Sequence, residues 1–480
     1  MPTFVAVDLG ATSGRVVNVR IDRDAIELDL VRRFPTVAVA GPHGDLTWDF
    51  DALLNDVTAG ISEAASRARA ESVAVDSWAI DYGLVDQEWR RTGRVHAYRS
   101  ARTDGVMDDV CARIGRDRIY GITGIQFLAF NTAYQLVAAR ETPEYAGAHR
   151  LLMLPDLVNH ELCGSTTNDI TNASTTQLLD IGTRSWSDEL VADLGLRRDL
   201  LPELHEPGAV LGTVMGVDPA VDGMRVIAAA SHDTASAVVG VPLRPDRRGI
   251  YISCGTWSLV GCEVASPITT SEALAANVTN ELGVAGTVRL LKNVTGLWLL
   301  EECRRTWAAQ GRATDTADLV TAAAALPGGR SVIDPDDPRF ATPGDMPARL
   351  GEYCRQTGQP VPTSPAELTR TILDSLALTW RTTVATIERV AGFEAEVIHL
   401  VGGGSSIPLL RELCASACGR PVLAGPAEAT VVGNAIVQAI AGGTLTDLAE
   451  GRDLVERTLD LVDVPPSATL DWLALAARLD

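Results

Sequence analysis

Residues 5–15 have the sequence Val-Ala-Val-Asp-Leu-Gly-Ala-Thr-Ser-Gly-Arg, an apolar run that ends at an aspartate and continues into small residues. A short apolar run bounded by turn residues predicts a buried strand at 4–7, and similar runs predict strands at 16–19 and 26–31. The segment 49–69 carries apolar residues at helical spacing and predicts a helix, after which another strand follows. This order is typical of an α/β fold in which a strand meander is extended by crossover units.

The second half of the chain repeats the pattern of a glycine-rich turn after an apolar strand. Residues 249–258 have the sequence Gly-Ile-Tyr-Ile-Ser-Cys-Gly-Thr-Trp-Ser, which again places glycine and hydroxyl residues directly after the apolar run. A long amphipathic helix is predicted at 369–390, and a strand at 397–401 leads into three glycines at 402–404. Two related halves are therefore expected. The predicted domains are an N-terminal domain at 1–242, a C-terminal domain at 249–445 and a helical appendage at 446–480.

The composition excludes several classes of protein. The 480 residues include 41 basic and 62 acidic side chains, which gives a formal net charge of -21 at pH 7. Because a field of this sign opposes binding to nucleic acid or to anionic membranes, we expect neither as a partner. The sequence contains a single lysine, Lys292, whose neighbours match neither a P-loop nor the strand lysine of a protein kinase. A pyridoxal-phosphate enzyme would have to use that same lysine.

Cysteine usage and the lack of long apolar segments indicate the compartment. The eight cysteines include no Cys-x-x-Cys pair, which argues against a structural metal site. Cys414 and Cys418 lie one helical turn apart and are interpreted as reduced thiols, with a disulfide as the alternative. The amino terminus has no basic leader, and no segment reaches the roughly 18 apolar residues of a membrane span. We expect a cytoplasmic protein that is a monomer or a small homo-oligomer.

The segment 8–15 carries the strongest local signal for function. Amides and hydroxyls around Gly10 and Gly14 can form an anion-binding concavity, because glycine allows positive φ and close approach, and Arg15 adds positive charge. Asp8 beside a phosphate cradle is unfavourable unless Mg²⁺ bridges the carboxylate and the phosphate, so Asp8 is the candidate metal ligand. An ordinary hairpin turn is the alternative. The segment is not a dinucleotide fingerprint, because Gly-x-Gly-x-x-Gly is absent.

Two later turns are candidate nucleotide contacts. Thr256 follows the strand of the second half, and paired with the first loop it would hold a nucleotide tail from the other side. By itself this turn is weak evidence for a nucleotide site, because a tryptophan such as Trp257 directly after a strand is usually a core residue. The glycines at 402–404 suit close packing of backbone against a flat base or ribose. A flexible turn before the next helix is the alternative.

The motif Ser-His-Asp-Thr at 231–234 is the candidate catalytic segment. In the structural interpretation Asp233 is a helix N-cap. In the functional interpretation Asp233 accepts a proton from a substrate hydroxyl during phosphoryl transfer, and His232 orients that substrate. A Ser-His-Asp hydrolase is a poor alternative, because adjacent residues cannot form the required relay and no Gly-x-Ser-x-Gly elbow exists.

Taken in order, these motifs resemble those of the FGGY carbohydrate kinases. The main matches are residues 5–15, Ser-His-Asp-Thr-Ala-Ser at 231–236, Cys-Gly-Thr-Trp-Ser-Leu at 254–259 and Val-Gly-Gly-Gly at 401–404. Finer markers lie at 98–103, 124–132, 274–281 and 291–300. The similarity runs from about residue 4 to about residue 441, and the finer markers most resemble the members that phosphorylate L-rhamnulose.

The resemblance implies an α/β fold of two actin-like, ribonuclease-H-like ATPase domains with an interdomain cleft that closes over MgATP and a sugar. It implies ATP-dependent conversion of L-rhamnulose to L-rhamnulose 1-phosphate. Another ketose such as L-fuculose is one alternative, and an ATP-binding regulatory protein without catalysis is the other. The implied residues are Ala11, Thr12, Ser13, Gly14 and Arg15 for phosphate, Thr256 and Gly403 for nucleotide, His232, Thr234 and Asn293 for the sugar, and Asp233 as proton acceptor.

Three positions depart from the pattern of the family. Ala79 stands where a family glycine is expected to line the sugar site, so its methyl group narrows the pocket or shifts the loop. Glu301 stands where a glutamine that contacts the nucleotide is expected, which places a charge near ATP. Residues 405–407, Ser-Ser-Ile, replace a triplet that often includes asparagine. These departures concern the choice of substrate more than the reaction.

Overall fold

The computed structural model describes residues 1–41, 45–468 and 470–479. The chain is an α/β structure with mixed sheets. Its strands are β1 (Thr3–Leu9), β2 (Ser13–Ile21), β3 (Ile26–Pro35), β4 (Ala38–Ala40), β5 (Leu46–Trp48), β6 (Ser72–Ser77), β7 (Tyr82–Val85), β8 (Arg91–Thr92), β9 (Val95–His96), β10 (Arg150–Met153), β11 (Asn168–Asp169), β12 (Leu179–Asp180), β13 (Ser185–Trp186), β14 (Leu204–His205), β15 (Val210–Thr213), β16 (Arg225–Ile227), β17 (Gly249–Cys254), β18 (Trp257–Val264), β19 (Thr279–Leu282), β20 (Val288–Thr295), β21 (Val397–Val401), β22 (Val422–Ala424) and β23 (Val462–Val464).

The described residues also form α-helices. They are α1 (Phe50–Arg67), α2 (Val106–Ile114), α3 (Arg116–Thr123), α4 (Thr132–Ala139), α5 (Pro143–Gly147), α6 (Leu154–Cys163), α7 (Ile170–Ala173), α8 (Asp188–Asp193), α9 (Asp233–Val239), α10 (Ser271–Ala276), α11 (Trp298–Ala309), α12 (Thr316–Ala324), α13 (Met346–Gln356), α14 (Pro365–Ala391), α15 (Pro408–Cys418), α16 (Ala429–Ala441), α17 (Leu448–Thr458) and α18 (Trp472–Ala476). Within the described residues, no helix combines the length and apolar character needed to cross a membrane.

The chain divides into two compact units. The first consists of Met1–Pro242, Glu263–Leu290 and Ala429–Leu459. The second consists of Leu243–Cys262, Leu291–Glu428 and Asp460–Asp480.

These units take segments from both sides of the predicted domain boundary. Residues 263–290 and 429–459 pack in the first unit, although their sequence position placed them in the C-terminal domain or the appendage. The segment 446–480, which was predicted to be helical, contains the strand β23 in addition to α17 and α18. Residues 469 and 480 of this segment lie outside the described residues.

The first unit is built on a six-stranded sheet with the order β15-β16-β6-β1-β2-β3. Strand β1 pairs antiparallel with β2 and parallel with β6, which confirms the predicted meander followed by a crossover. Every residue of β1 is buried, as expected for a central strand that is covered on both faces.

Two helices cover that sheet. Helix α1 lies on the face of Val16, against which Gly60 packs, and begins after Asp49, whose carboxylate accepts a hydrogen bond from the amide of Ala52. Helix α16 covers the opposite face, where Val432 and Ile436 join one buried cluster with Phe4, Val17 and Val19. The sheet is therefore a rigid middle layer between two helical layers.

Helix α16 also packs closely against α9. A Cβ atom on Gly433 would lie 1.8 Å from the carbonyl oxygen of Ser236, so no side chain fits at this position. Close approach of the two backbones therefore explains the glycine inside this helix. The contact matters for function because α9 begins at Asp233.

The second unit repeats the central arrangement of the first. Strand β17 pairs antiparallel with β18 and parallel with β21, and β21 continues through parallel β22 to antiparallel β23. The long helix α14 starts four residues earlier than the predicted helix at 369–390, because Ser364 and Glu367 form a capping box before it. All eight cysteines, which lie within the described ranges, are free thiols.

Candidate active site

In the first unit, Asp8 and Asp76 lie side by side at the carboxyl ends of two parallel strands. The register of β1 with β6 pairs Asp8 with Asp76, and the register of β1 with β2 pairs Asp8 with Arg15. Both Nε and Nη2 of Arg15 donate to Asp8 Oδ2, at 2.8 and 2.5 Å. The Asp8 side chain is 5% exposed. Because ligands of open α/β sheets bind at the carboxyl ends of strands, this edge is the candidate site.

Asp76 is a buried carboxyl group beside Asp8. Its Oδ2 accepts a 2.6 Å hydrogen bond from Asn434 Nδ2, whereas its Oδ1 is buried and meets no hydrogen-bond partner among the described residues. Burial, followed by the negative charges of Asp8 and Asp233, raises the pKa of Asp76 well above its ordinary range. The site therefore concentrates three carboxyl groups, of which the innermost resists ionisation.

Asp233 lies at the same edge of the sheet, in the segment that follows β16. Ser231 accepts a 2.9 Å hydrogen bond from the amide of Ser77 at the end of β6, which brings the two loops together. The interpretation of Asp233 as a helix N-cap is wrong, because His232 is the N-cap and Asp233 is the first residue of α9. The role of Asp233 as a proton acceptor stays a prediction.

The surroundings of Asp233 are polar and partly open. Its side chain is 30% exposed, and its Oδ1 lies 3.5 Å from His232 Nε2 and accepts a 3.1 Å hydrogen bond from Thr234 Oγ1. Partial burial raises the pKa of Asp233, a rise that nearby His232 opposes and the charge of Asp8 increases. A carboxylate with a raised pKa is a stronger proton acceptor than an ordinary aspartate.

The loop between β1 and β2 is held by backbone hydrogen bonds. The amide of Gly10 donates to the carbonyl of Ser13, and the amide of Thr36 donates to the carbonyl of Thr12. Thr12 is exposed, while Ala11 and Ser13 are half-buried. The loop thus presents small residues to solvent at the end of the buried strand.

The reason for glycine in this loop differs from the expected one. Positive φ is found at neither Gly10 nor Gly14, so that part of the expectation is wrong. A Cβ atom on Gly14 would lie 2.3 Å from the ring of Phe34 on β3. Close approach of an aromatic side chain is therefore what excludes a larger residue at Gly14.

Ala79 lies in a tight turn after β6. The amide of Asp81 donates a 2.9 Å hydrogen bond to the carbonyl of Ala79, and Ile80 between them has φ of 69°. Such a conformation costs a β-branched residue about 1–3 kcal/mol. Thr132 holds the turn through a 2.7 Å hydrogen bond from its hydroxyl to the carbonyl of Ile80. Ala79 itself is half-buried.

In the second unit, the predicted nucleotide loops lie next to each other. The parallel register pairs Ser253 of β17 with Val401 of β21, so the turns that follow both strands are neighbours. Gly402 has φ of 76°, and a Cβ atom there would lie 2.9 Å from the carbonyl oxygen of Cys254. Gly403 is exposed and a Cβ atom there would meet nothing within 4 Å, which leaves its backbone open to a ligand.

The hairpin turn at Thr256 is fixed against the start of α11. The carbonyl of Thr256 accepts hydrogen bonds from the amides of Gly296 and Trp298, at 3.1 and 3.3 Å. On α11, Glu301 Oε2 forms a 2.6 Å ion pair with Arg304, so its charge is partly neutralised. Asn293 is half-buried on β20. These four candidate residues, Thr256, Asn293, Glu301 and Gly403, all belong to the second unit.

Comparison with known proteins identifies the family to which the chain belongs. A family model for the FGGY family of carbohydrate kinases, N-terminal domain, matches residues 3–240, and the model for the C-terminal domain of the same family matches residues 250–442. The chain belongs to the FGGY family of carbohydrate kinases. Its α/β fold and its carbohydrate kinase class follow from this membership, as the motifs had implied.

Relatives of this FGGY kinase match over almost its whole length. A protein named rhamnulokinase from Pectobacterium carotovorum is 44% identical over 98% of this chain and 94% of its own length. A second rhamnulokinase, from Pectobacterium atrosepticum, is 42% identical over the same shares of the two chains. Among solved structures, a ligand-bound xylulose kinase from Lactobacillus acidophilus has a TM-score of 0.78 at 14% identity and covers 100% of this chain and 96% of its own. At this identity the similarity supports the fold and nothing further.

Sequence reasoning missed two groups of buried polar residues in this kinase. Asp81 is fully buried, and its Oδ2 accepts hydrogen bonds from the indoles of Trp48 and Trp78 at 2.7 and 2.9 Å. Glu281 and Arg289 are likewise buried and lie beside His232. Glu281 ends one of the finer family markers, and Asp81 follows Ala79 by two residues. The available signals were the carboxylate of Asp81 in the mostly apolar segment 78–82 and the charge of Arg289 among the apolar residues at 288–291.

Proposed function

We propose that the chain transfers the γ-phosphoryl group of MgATP to L-rhamnulose and releases L-rhamnulose 1-phosphate and ADP. The observation that carries the proposal is the 42–44% identity to two proteins named rhamnulokinase, over 98% of this chain. Because the match extends through both family domains, it includes the candidate sugar residues as well as the nucleotide residues. The fold alone would fit other sugars equally well.

In this proposal Asp233 accepts the proton of the sugar hydroxyl. The carboxylate is 30% exposed, and its raised pKa favours proton acceptance. The hydroxyl becomes acidic only as its oxygen bonds to phosphorus, so Asp233 needs to act late in the transfer. His232 and Thr234, which contact the same carboxylate, would orient the sugar beside it, and Asn293 and Ala79 would complete the sugar contacts.

The phosphates would bind at the loop of residues 11–15, beside Arg15, whose guanidinium is paired with Asp8 in this structure. Asp8 would hold Mg²⁺, since a carboxylate oxygen is a ligand that Mg²⁺ prefers and the buried Oδ1 of neighbouring Asp76 has no partner among the described residues. Within those residues no group of three or more His, Cys, Asp and Glu side chains could enclose a metal. When bound, Mg²⁺ neutralises charge on the phosphates.

The second unit would bind the rest of the nucleotide. The exposed backbone of Gly403 and the hairpin at Thr256 are adjacent, and Glu301 follows on α11. The pairing of Glu301 with Arg304 removes part of the repulsion that a bare carboxylate would exert on ATP. We further propose that the enzyme works in the cytoplasm as a monomer or small homo-oligomer, without nucleic acid or membrane as partner.

A kinase assay across a ketose panel tests the substrate. Purified protein with ATP and Mg²⁺ is given L-rhamnulose, L-fuculose, D-xylulose and glycerol, and ADP release is measured. We expect the highest kcat/KM for L-rhamnulose, and ³¹P NMR of the product should place the phosphate on C1. Faster turnover of L-fuculose would make the protein a kinase for that sugar. If no sugar is phosphorylated, the regulatory alternative replaces the proposal.

A further inference from the structure

The ring of His232 has a different environment at each nitrogen. Its Nε2 faces Asp233, with 3.5 Å between Nε2 and Oδ1. Its Nδ1 faces the interior, where it lies 3.2 Å from Arg289 Nη2 and 3.2 Å from Glu281 Oε2. The side chain of His232 is only 7% exposed, so these contacts determine which nitrogen carries the proton.

Arg289 and Glu281 form a buried pair behind His232. Arg289 has no exposed side-chain surface, the Glu281 side chain is 4% exposed, and Arg289 Nη1 lies 3.1 Å from Glu281 Oε2. Arg289 Nε and Nη2 also donate to the carbonyl of Leu282, at 3.3 and 3.2 Å. Burial raises the pKa of Glu281, but the positive charge of Arg289 is the largest opposing effect, and the pKa lies below its ordinary value. The pair is therefore ionised and holds the guanidinium in one place.

The chemistry of arginine decides the tautomer of His232. A guanidinium only donates hydrogen bonds, so its contact with Nδ1 requires a lone pair on that nitrogen. Glu281 Oε2, in contrast, has no hydrogen bond in good geometry to any described residue, which argues against a proton on Nδ1. A doubly protonated ring would place an N–H and a positive charge against the guanidinium. The neutral ring with its proton on Nε2 is therefore the form of His232 that agrees with the contacts to Arg289 and Glu281.

We propose that Arg289, held by Glu281, is a positioning residue that fixes His232 in the Nε2–H tautomer and so directs a hydrogen-bond donor to the sugar beside Asp233. The distance of 3.5 Å from Nε2 to Asp233 Oδ1 exceeds a normal N–H···O hydrogen bond, which leaves the donor available to a sugar oxygen. With the opposite tautomer, Nε2 could only accept a hydrogen bond and would offer no donor to that oxygen. The role in sugar binding rests on the proposed function, whereas the tautomer does not.

The tautomer is measured first, in the full-length protein without substrate. The ¹⁵N shifts of histidine-labelled protein are recorded at about pH 8, above the ordinary histidine pKa of about 6.5. His232→Gln identifies the resonances of His232, because they disappear in that variant. We expect the proton on Nε2 in the wild type and a mixture of tautomers in the double variant Glu281→Gln/Arg289→Met. A proton on Nδ1 in the wild type would overturn the proposal.

The double variant removes both charges together, because a single substitution would leave one charge unpaired in the interior and endanger folding. Arg370→Met/Asp374→Asn is the matched control, since this pair on α14 is also buried, with 2.9 Å between Arg370 Nε and Asp374 Oδ1. Circular dichroism establishes that both variants fold. If Glu281→Gln/Arg289→Met fails to fold, the wild-type tautomer still decides the proposal.

Kinetics separate positioning from a purely structural role. We expect Glu281→Gln/Arg289→Met to raise KM for the ketose by roughly tenfold to a hundredfold while KM for ATP changes by less than about twofold. The control variant should leave both constants near those of the wild type. An equal rise of both constants in the test variant would indicate general damage and would contradict the proposal. Lack of turnover in the wild type would remove the proposed function but not the tautomer result.

Discussion

The amide of Asn434 donates a 2.6 Å hydrogen bond to Asp76 although 358 residues separate the two in sequence. The same side of α16 also carries Gln438, whose amide donates to the carbonyl of Val5 and whose oxygen accepts from Ser72. A helix late in the chain therefore contacts β1 and β6, the two strands that carry Asp8 and Asp76 near their ends. The polar side of α16 thus links a late segment of the chain to the first strands of the first unit.

Asn434→Ala should destabilise the protein by about 1–3 kcal/mol. The substitution leaves the buried carboxyl of Asp76 without its donor, and an unmet buried polar group carries a cost of this size. Urea unfolding measures the change, with Gln87→Ala at an exposed position as the control. The control should change stability by less than about 0.5 kcal/mol. An Asn434→Ala midpoint equal to that of the wild type would show that Asp76 finds another partner.

This hydrogen bond also marks the limit of what the sequence could predict. The strands at the start of the chain, the crossover helix and the loop at residues 8–15 follow from local apolar patterns, and the structure confirms the α/β meander. The contact of Asn434 with Asp76 has no local signature, because it depends on where α16 packs. For the same reason the placement of 429–459 in the first unit was missed.

The candidate site divides in the same way. Asp8, Arg15, His232 and Asp233 could be predicted as site residues because small residues and charges after a strand form a local pattern. The pairing of Arg289 with Glu281 behind His232 was not found, since their relevance comes from a third residue that is distant in sequence. Residue types predicted the chemistry of the site, while packing decides which side chains orient it.

Asp233→Asn should lower kcat by roughly two to four powers of ten, because a general base typically contributes that much to a proton transfer. The amide cannot accept the proton of the sugar hydroxyl but keeps nearly the same volume. ATP affinity, measured by calorimetry, should remain within about twofold of the wild type, since no nucleotide contact is changed. Near-normal turnover of Asp233→Asn would assign the proton to another acceptor.

The ionisation of Asp81 predicts a pH-dependent stability. Burial raises its pKa to about 6, against the hydrogen bonds from Trp48, Trp78, Gln135 and the backbone of Tyr98. Because the folded protein binds the proton more tightly than the unfolded chain, this contribution is complete below about pH 4 and is lost as pH rises toward 6. The loss amounts to about 3 kcal/mol for a rise in the pKa from 3.8 to about 6.

Asp81→Asn isolates this effect. The variant carries no titrating group at the position, so the stability difference between wild type and variant should shift in favour of the variant between pH 4 and 7. Urea unfolding at each pH measures both proteins, and other titrating groups cancel in the difference. A difference that stays constant with pH would mean that the carboxyl is ionised throughout this range.

Gly14→Ala should destabilise the protein by about 1–3 kcal/mol, because the new methyl group would overlap the ring of Phe34. The double variant Gly14→Ala/Phe34→Leu gives the methyl group room. Its loss of unfolding free energy should therefore be smaller than the summed losses of the two single variants. A double-mutant cycle from urea unfolding measures this coupling. Strict additivity would show that the glycine is needed for another reason.

Ala79→Gly tests whether the unusual alanine restricts the sugar pocket. The turn at Ala79 is held in place by the hydroxyl of Thr132 on the carbonyl of Ile80, so the methyl group occupies a fixed position. A single methyl group in a pocket changes selectivity by about tenfold or more when the competing substrate contacts it. We therefore expect Ala79→Gly to change the kcat/KM ratio of L-fuculose to L-rhamnulose by at least about tenfold. Val39→Gly, at an exposed position on β4, is the control and should leave the ratio unchanged. If Ala79→Gly leaves this ratio unchanged while turnover is intact, the methyl group lies outside the sugar pocket. The residues around His232 would then determine which sugar is bound.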